Sequence, residues 1–229
     1  MSLKIGILQT GRIDGDLGTA HGQYPEMFME LLAPEKFDYE TFAVVDGQFP
    51  ASPNDCDGWV ITGSKHGAYE DHDWIPPLEE FVRDLVKSGQ PTVGICFGHQ
   101  IMAQALGGKV EKYAKGWGIG IKAYQHQDGS DVKMLAFHQD QVITPPANTE
   151  TFLSADYCAY AGLKYSPTCF SLQPHPEHSL AFSGALIEVR RPILTDVVAD
   201  QALASLTPDN DQVKFGQMMA DVLSGRLTL

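Results

Sequence analysis

Two short apolar runs, GWVITG (58–63) and PTVGIC (91–96), flank a stretch whose apolar residues recur at helical spacing. That alternation limits the fold more than any other feature of the chain. Ile75, Leu78, Phe81, Val82, Leu85 and Val86 share one helical face, with Asp73 near the start, Pro76 and Pro77 in the first turn and Gly89 as a stop. A strand, a helix and a second strand of one sheet imply parallel pairing through a right-handed crossover. Two further β-rich runs, LKIGILQT (3–10) and YETFAVV (39–45), precede them. The expected architecture is therefore α/β, a doubly wound, mostly parallel central sheet flanked by helices, with ligands at the carboxyl ends of the strands.

From about Lys109 to Gln173 the pattern changes. WGIGIKAY, VKMLAFH, TFLSADYCAYAGL and CFSLQ follow one another with Gly, Asp and Pro turns between, which predicts a small antiparallel sheet. Beyond Glu177 the chain turns helical, and Val213, Phe215, Met218, Met219, Val222 and Leu223 are expected to share a buried face. Residues 1–190 are read as one domain, and residues 191–229 as a C-terminal helical extension packed on it. Thr10 to Tyr24, rich in Gly and Asp, is expected to be the longest loop.

Composition excludes several classes. Sixteen basic against twenty-nine acidic residues leave a formal charge of −13, which disfavours nucleic acid and anionic membrane surfaces as partners. No long apolar run or basic leader appears, so a cytoplasmic protein without membrane contact is expected. Cys56, Cys96, Cys158 and Cys169 form no CxxC pair and no metal spacing, so neither disulfides nor a metal are predicted, and no cofactor motif is present. Cys56, Cys158 and Cys169 read as small buried hydrophobes.

Cys96 differs from these three. Gly94-Ile95-Cys96-Phe97-Gly98 has the glycine-x-nucleophile-x-glycine form in which a strand turns sharply into a helix and thrusts the middle side chain outward. The helix start places unpaired N–H groups and the positive dipole end beside the sulfur, and the N–H of Phe97 would face an oxyanion. A thiolate nucleophile needs a base that is itself oriented. In QPHPE (173–177) two prolines stiffen a segment holding His175 and Glu177, so the carboxylate can fix the tautomer and the ring can relay protons to Cys96. With His175 in that role, an acid limb near the ordinary histidine range of about 6 to 7 is expected. His21, His66, His72, His126 and His178 read as structural or surface residues.

These two motifs together, Gly94 to Gln100 with His175-Pro176-Glu177, resemble the class I (triad-type) glutamine amidotransferase family, in a stand-alone form similar to the amidotransferase domain of GMP synthase. The resemblance spans roughly residues 1–190 and implies a flavodoxin-like fold. It also implies a catalytic Cys96, His175 and Glu177 triad that opens the side-chain amide of glutamine through a γ-glutamyl thioester. Thr62-Gly63-Ser64 stands where the family often has Ser-Gly-Gly, which makes Ser64, with Phe97, the oxyanion-hole candidate and places Gly63 at the substrate. Gln100 matches a substrate-holding position. His138 and Gln139, in Phe137-His138-Gln139-Asp140, match the segment that grips the α-amino and carboxylate groups.

The resemblance leaves two enzyme readings open. One is a glutaminase that passes ammonia to a separate synthase subunit, with glutamine as its substrate. The other is a self-sufficient hydrolase or peptidase of γ-glutamyl small molecules. A relative without turnover, used for binding or redox sensing, is the third reading. His66, Glu70, Asp71, His72 and Asp73 match no zinc or calcium loop and read as a solvated rim of the site. Lys109, Lys112 and Lys115 read as ordinary strand surface.

Overall fold

The computed structural model describes residues 2–229. In chain order the elements are β1 (Lys4–Leu8), α1 (Gly15–His21), α2 (Tyr24–Leu31), β2 (Asp38–Phe42), β3 (Gly58–Ile61), α3 (Ile75–Ser88), β4 (Thr92–Ile95) and α4 (Phe97–Ala105). There follow β5 (Lys109–Lys112), β6 (Gly118–His126), β7 (Asp131–His138), β8 (Asp140–Thr144), β9 (Glu150–Ala155), β10 (Cys158–Ser166) and β11 (Cys169–Leu172). The chain closes with α5 (Leu180–Arg190), α6 (Asp196–Ser205) and α7 (Gln212–Leu223).

A nine-stranded sheet runs in the order β2-β1-β3-β4-β11-β10-β9-β6-β7. The pairings from β2 through β4 to β11 are parallel, and those from β11 out to β7 are antiparallel. The sheet is thus mixed rather than mostly parallel, because three of the β-prone pieces expected to form a separate sheet extend the main one. Among the described residues, only β5 and β8 stand apart as a two-stranded antiparallel sheet. The fourth piece, CFSLQ, becomes β11 and pairs in parallel with β4, so the segment after it leaves the sheet beside the segment after β4.

Alternation along the strands feeds two cores. Val60, Val93 and Ile95 face α2 and α7, whereas Trp59 and Ile61 face α3 and α4. A sheet covered on both faces explains why these strands read as unbroken apolar runs. The α3 helix starts with prolines in its first turn and ends at Gly89, whose φ of 76° is the left-handed stop glycine allows. In α7, Phe215, Met219, Val222 and Leu223 are buried as expected, but Val213 is 84% exposed. Val213 lies two residues, or about 200° of helical turn, before Phe215, which puts it on the opposite face. The segment 10–24 contains α1 and is closed by Gln23, whose side chain accepts from Ile13 N–H at 2.9 Å and donates to Ile13 C=O at 2.9 Å. Among the described residues no helix is long and apolar enough to cross a membrane.

Candidate active site

The corner after β4 is built from close packing. Cys96 has φ 53° and ψ −99°, outside the ordinary regions for a residue with a side chain. It is held there because its N–H donates to Leu172 C=O of β11 at 2.8 Å and the N–H of Gly98 donates to Thr62 C=O after β3 at 3.1 Å. The flanking glycines admit no substituent. A Cβ at Gly98 would lie 2.3 Å from Ile61 O, and one at Gly94 would lie 2.6 Å from Gly98 O. Strain of this kind, on the order of 1–3 kcal/mol, persists only where the surroundings impose it.

The parallel β4–β11 pairing delivers the second half of the site. After β11, Gln173 donates to Cys96 Sγ at 3.6 Å, and His175 N–H donates to Leu135 C=O of β7 at 2.8 Å, which fixes the segment from the far side. His175 Nδ1 meets Glu177 Oε1 at 2.8 Å, both side chains being buried. A Cβ placed on Gly63 would lie 3.3 Å from His175 Cε1 and 3.8 Å from Cys96 Cβ, so Gly63 sits against both sulfur and imidazole. Burial acts against a charged His175 ring, but Glu177 and Cys96 outweigh it and push the imidazole up to about 10. Its own titration therefore belongs to the alkaline side, not to the acid limb near 6 to 7 expected from an unperturbed ring.

The remaining expected residues are placed as follows. Ser64 lines the same cavity as Cys96 and His175. Its hydroxyl donates to Thr10 C=O at 2.8 Å and accepts from His66 N–H at 3.2 Å, bonds that hold the turn a glycine would leave free. Phe97 opens α4, where the first N–H groups have no intrahelical acceptor. Gln100 is buried, with its amide donating to Asp140 C=O at 2.9 Å and to Gln173 Oε1 at 3.1 Å, so it also orients the side chain that reaches the sulfur. His138 and Gln139 line the cavity; burial, with repulsion from His175, pushes the His138 ring down to about 3.

Several residues around the site were not legible beforehand, Gln173 among them. His178, read as structural or surface, stacks on His175 with ring centroids 3.8 Å apart and planes 11° apart. Burial and the neighbouring His175 drive it well below the usual histidine range, so it is an uncharged lid on a charged ring. The Tyr24 ring, from the start of α2, lies nearly parallel to that of His178 at 6.3 Å, and Phe182 meets it edge-on at 4.6 Å. The only sequence signal for His178 was adjacency to Glu177. The cavity over these groups measures about 320 Å³, and its wall carries Lys65, Lys112 and Arg190 as well as Glu70 and Asp140.

Together these features define a class, an α/β protein with a cysteine at a strand–helix elbow and a carboxylate-backed histidine at the end of the adjoining strand. More specifically, the chain belongs to the class I glutamine amidotransferase family, whose model matches residues 39–188. Gamma-glutamyl peptidase 3 of Arabidopsis thaliana is 27% identical over 225 residues, covering 90% of each chain. A partial likeness joins it to a glutamine-hydrolyzing GMP synthase component of Methanosphaera stadtmanae, 33% identical over 98 residues, which are 38% of this chain and 51% of that one. Among solved structures, a glutamine amidotransferase of Thermotoga maritima has the same fold, with a TM-score of 0.76 over 99% of this chain and 98% of that one at 17% identity.

Proposed function

We propose that the protein is a γ-glutamyl hydrolase that opens the γ-amide bond through a thioester on Cys96, with γ-glutamyl peptides preferred over free glutamine. The observation that carries this is that Cys96 and His175 line one cavity, with the Gln173 amide on the sulfur and Glu177 on the far nitrogen of the ring. Its proton already on His175, the sulfur attacks the γ-carbonyl carbon, and the oxyanion turns toward the N–H groups of Phe97 and Ser64. As the C–N bond breaks, His175 gives its proton to the departing amine. Neutral His175 then takes a proton from water as the oxygen adds to the thioester carbon, and cleavage of the C–S bond frees glutamate and restores the sulfur with its proton on His175.

The preference for peptides rests on the likeness to gamma-glutamyl peptidase 3 across nine-tenths of both chains, and on a cavity wall with Lys65, Lys112 and Arg190, cations suited to the carboxylates of a peptide leaving group. Gly63, His138 and Gln139 would hold the glutamyl end, with Gln100 orienting Gln173. Four free, buried thiols suit a reducing compartment such as the cytoplasm, and residues 191–229 are assigned to the same domain because α7 buries Phe215 and Met219 against the sheet.

Initial rates on glutamine and on a panel of γ-glutamyl dipeptides test the reading. Dipeptides should be turned over with kcat/KM at least about tenfold above that for glutamine, and Cys96→Ala should abolish both. The reverse ranking would return the protein to the glutaminase reading, with its ammonia passed to a separate synthase.

A further inference from the structure

The segment that leaves the oxyanion turn folds back on itself. Glu70 N–H donates to Gly67 C=O at 3.1 Å, His72 N–H to Glu70 C=O at 3.1 Å, and Ile75 N–H to His72 C=O at 3.0 Å as α3 begins. These tight turns bring together side chains whose linear spacing fits no metal loop. His66 Nδ1 lies 3.3 Å and His72 Nε2 lies 2.8 Å from the same Glu70 oxygen, and the three donor atoms all fall within 4.8 Å of one another. We propose that His66, Glu70 and His72 form a binding site for a zinc-class divalent cation at the mouth of the cavity.

The donor set and its dimensions support this. Two imidazoles and one carboxylate are a set that zinc takes at about 2.0–2.2 Å, and a tetrahedron of that size has edges of about 3.3 Å. Two of the three edges are already 3.3 and 2.8 Å, so loading requires only small movements of side chains. The His72 ring lies nearly parallel to Trp74, 5.9 Å and 15° apart, and His66 meets Trp74 edge-on at 5.9 Å. Trp74 is buried and packs on Phe97 at 5.4 Å, so the platform that orients both rings is fixed to the elbow itself. The side chains of His66, His72 and Glu70 are 24, 34 and 42% exposed, open enough for an ion to enter. His66 and Glu70 also line the cavity, so an ion held by these ligands would sit at its rim.

The site goes beyond the proposed hydrolase and does not depend on it. A second group of potential ligands, His175, Glu177 and His178, is buried beneath the cavity, and the experiment must tell the two apart. Zinc uptake by the full chain is measured by titration calorimetry in the Cys96→Ala background, which removes the reactive thiol, with Co²⁺ absorption as a geometric probe. One ion per chain is expected, weakened at least about tenfold by His72→Ala and by the near-isosteric Glu70→Gln, and unaffected by His178→Leu. Absence of uptake would overturn the site, as would uptake that survives His72→Ala and Glu70→Gln, or uptake lost only with His178→Leu. Far-ultraviolet circular dichroism of each variant confirms that lost uptake is not lost folding.

Discussion

Substituting Gly98 by alanine tests the elbow most directly, because the added methyl group meets the backbone and Cβ of Ile61, atoms that no rotamer change can move. Its Cβ would sit 2.3 Å from Ile61 O and 3.0 Å from Ile61 C, and no side-chain rotation relieves either contact. Restoring even a 3.0 Å approach parts α4 from β3 by about 0.7 Å, against the Gly98 N–H to Thr62 C=O bond that ties them. Overpacking by a methylene costs about 1–3 kcal/mol, and a contact with backbone on a buried strand belongs at the upper end. For a domain of this size about 3 kcal/mol lowers Tm by roughly 6–12 °C. The same displacement moves Cys96 and the Phe97 N–H relative to Ser64, and a misplacement approaching 1 Å costs on the order of 100-fold in rate. Gly184→Ala is the control. It lies in α5 with its nearest neighbour, Leu206 Cδ1, at 3.6 Å, and should be neutral or more stable by up to about 1 kcal/mol. Differential scanning calorimetry and kcat/KM on a γ-glutamyl substrate read both effects. A Gly98→Ala variant with wild-type Tm and wild-type turnover would refute the account of the elbow.

Other outcomes follow from the site. His175 should lose its proton only as pH rises through about 10, so an alkaline limb of kcat/KM is expected there; Glu177→Gln, by removing the negative charge that favours the charged ring, should move that limb to lower pH, and an unmoved limb would dissociate Glu177 from His175. Gln173→Leu removes the donor to Sγ and should lower kcat/KM about 10- to 100-fold, the value of a hydrogen bond to a charged group, with little change in Tm. Because His178 is held uncharged, His178→Phe should retain activity within about threefold while His178→Ala, which uncovers His175, falls by tenfold or more; equal losses would show that an imidazole nitrogen is needed at 178.

The parts of this fold legible beforehand are those whose cause is local. The α3 helix announces itself through apolar spacing, prolines at the start and a stop glycine, and the elbow through two glycines that flank a cysteine. Pairing depends on distant residues, so the strand order was not legible: nothing local in CFSLQ says that it inserts beside β4 rather than joining the antiparallel strands before it. The same reason hides Gln173 and His178. Their roles come from what β11 lies against, and a buried histidine stacked on another looks like any histidine in one dimension. Val213 shows the opposite failure, a residue inside α7 credited to the apolar stripe although two residues of helical turn set it on the face away from Phe215.

The insertion of β11 also explains why a cysteine and a histidine separated by 78 intervening residues can act as a unit. With β4 and β11 parallel and adjacent, both chains leave the sheet at the same edge, and one hydrogen bond, Cys96 N–H to Leu172 C=O, sets the elbow against the strand that carries the histidine. Residues 97 to 168 can then vary in length or sheet membership without moving the pair, since loop closure grows only slowly in cost with length. They spend that freedom on the antiparallel half of the sheet, whose β7 carbonyl at Leu135 receives His175 N–H from the far side. The parallel half therefore brings the sulfur and the ring together, and the antiparallel half fixes the ring's backbone and, through His138 and Gln139, closes the cavity around them.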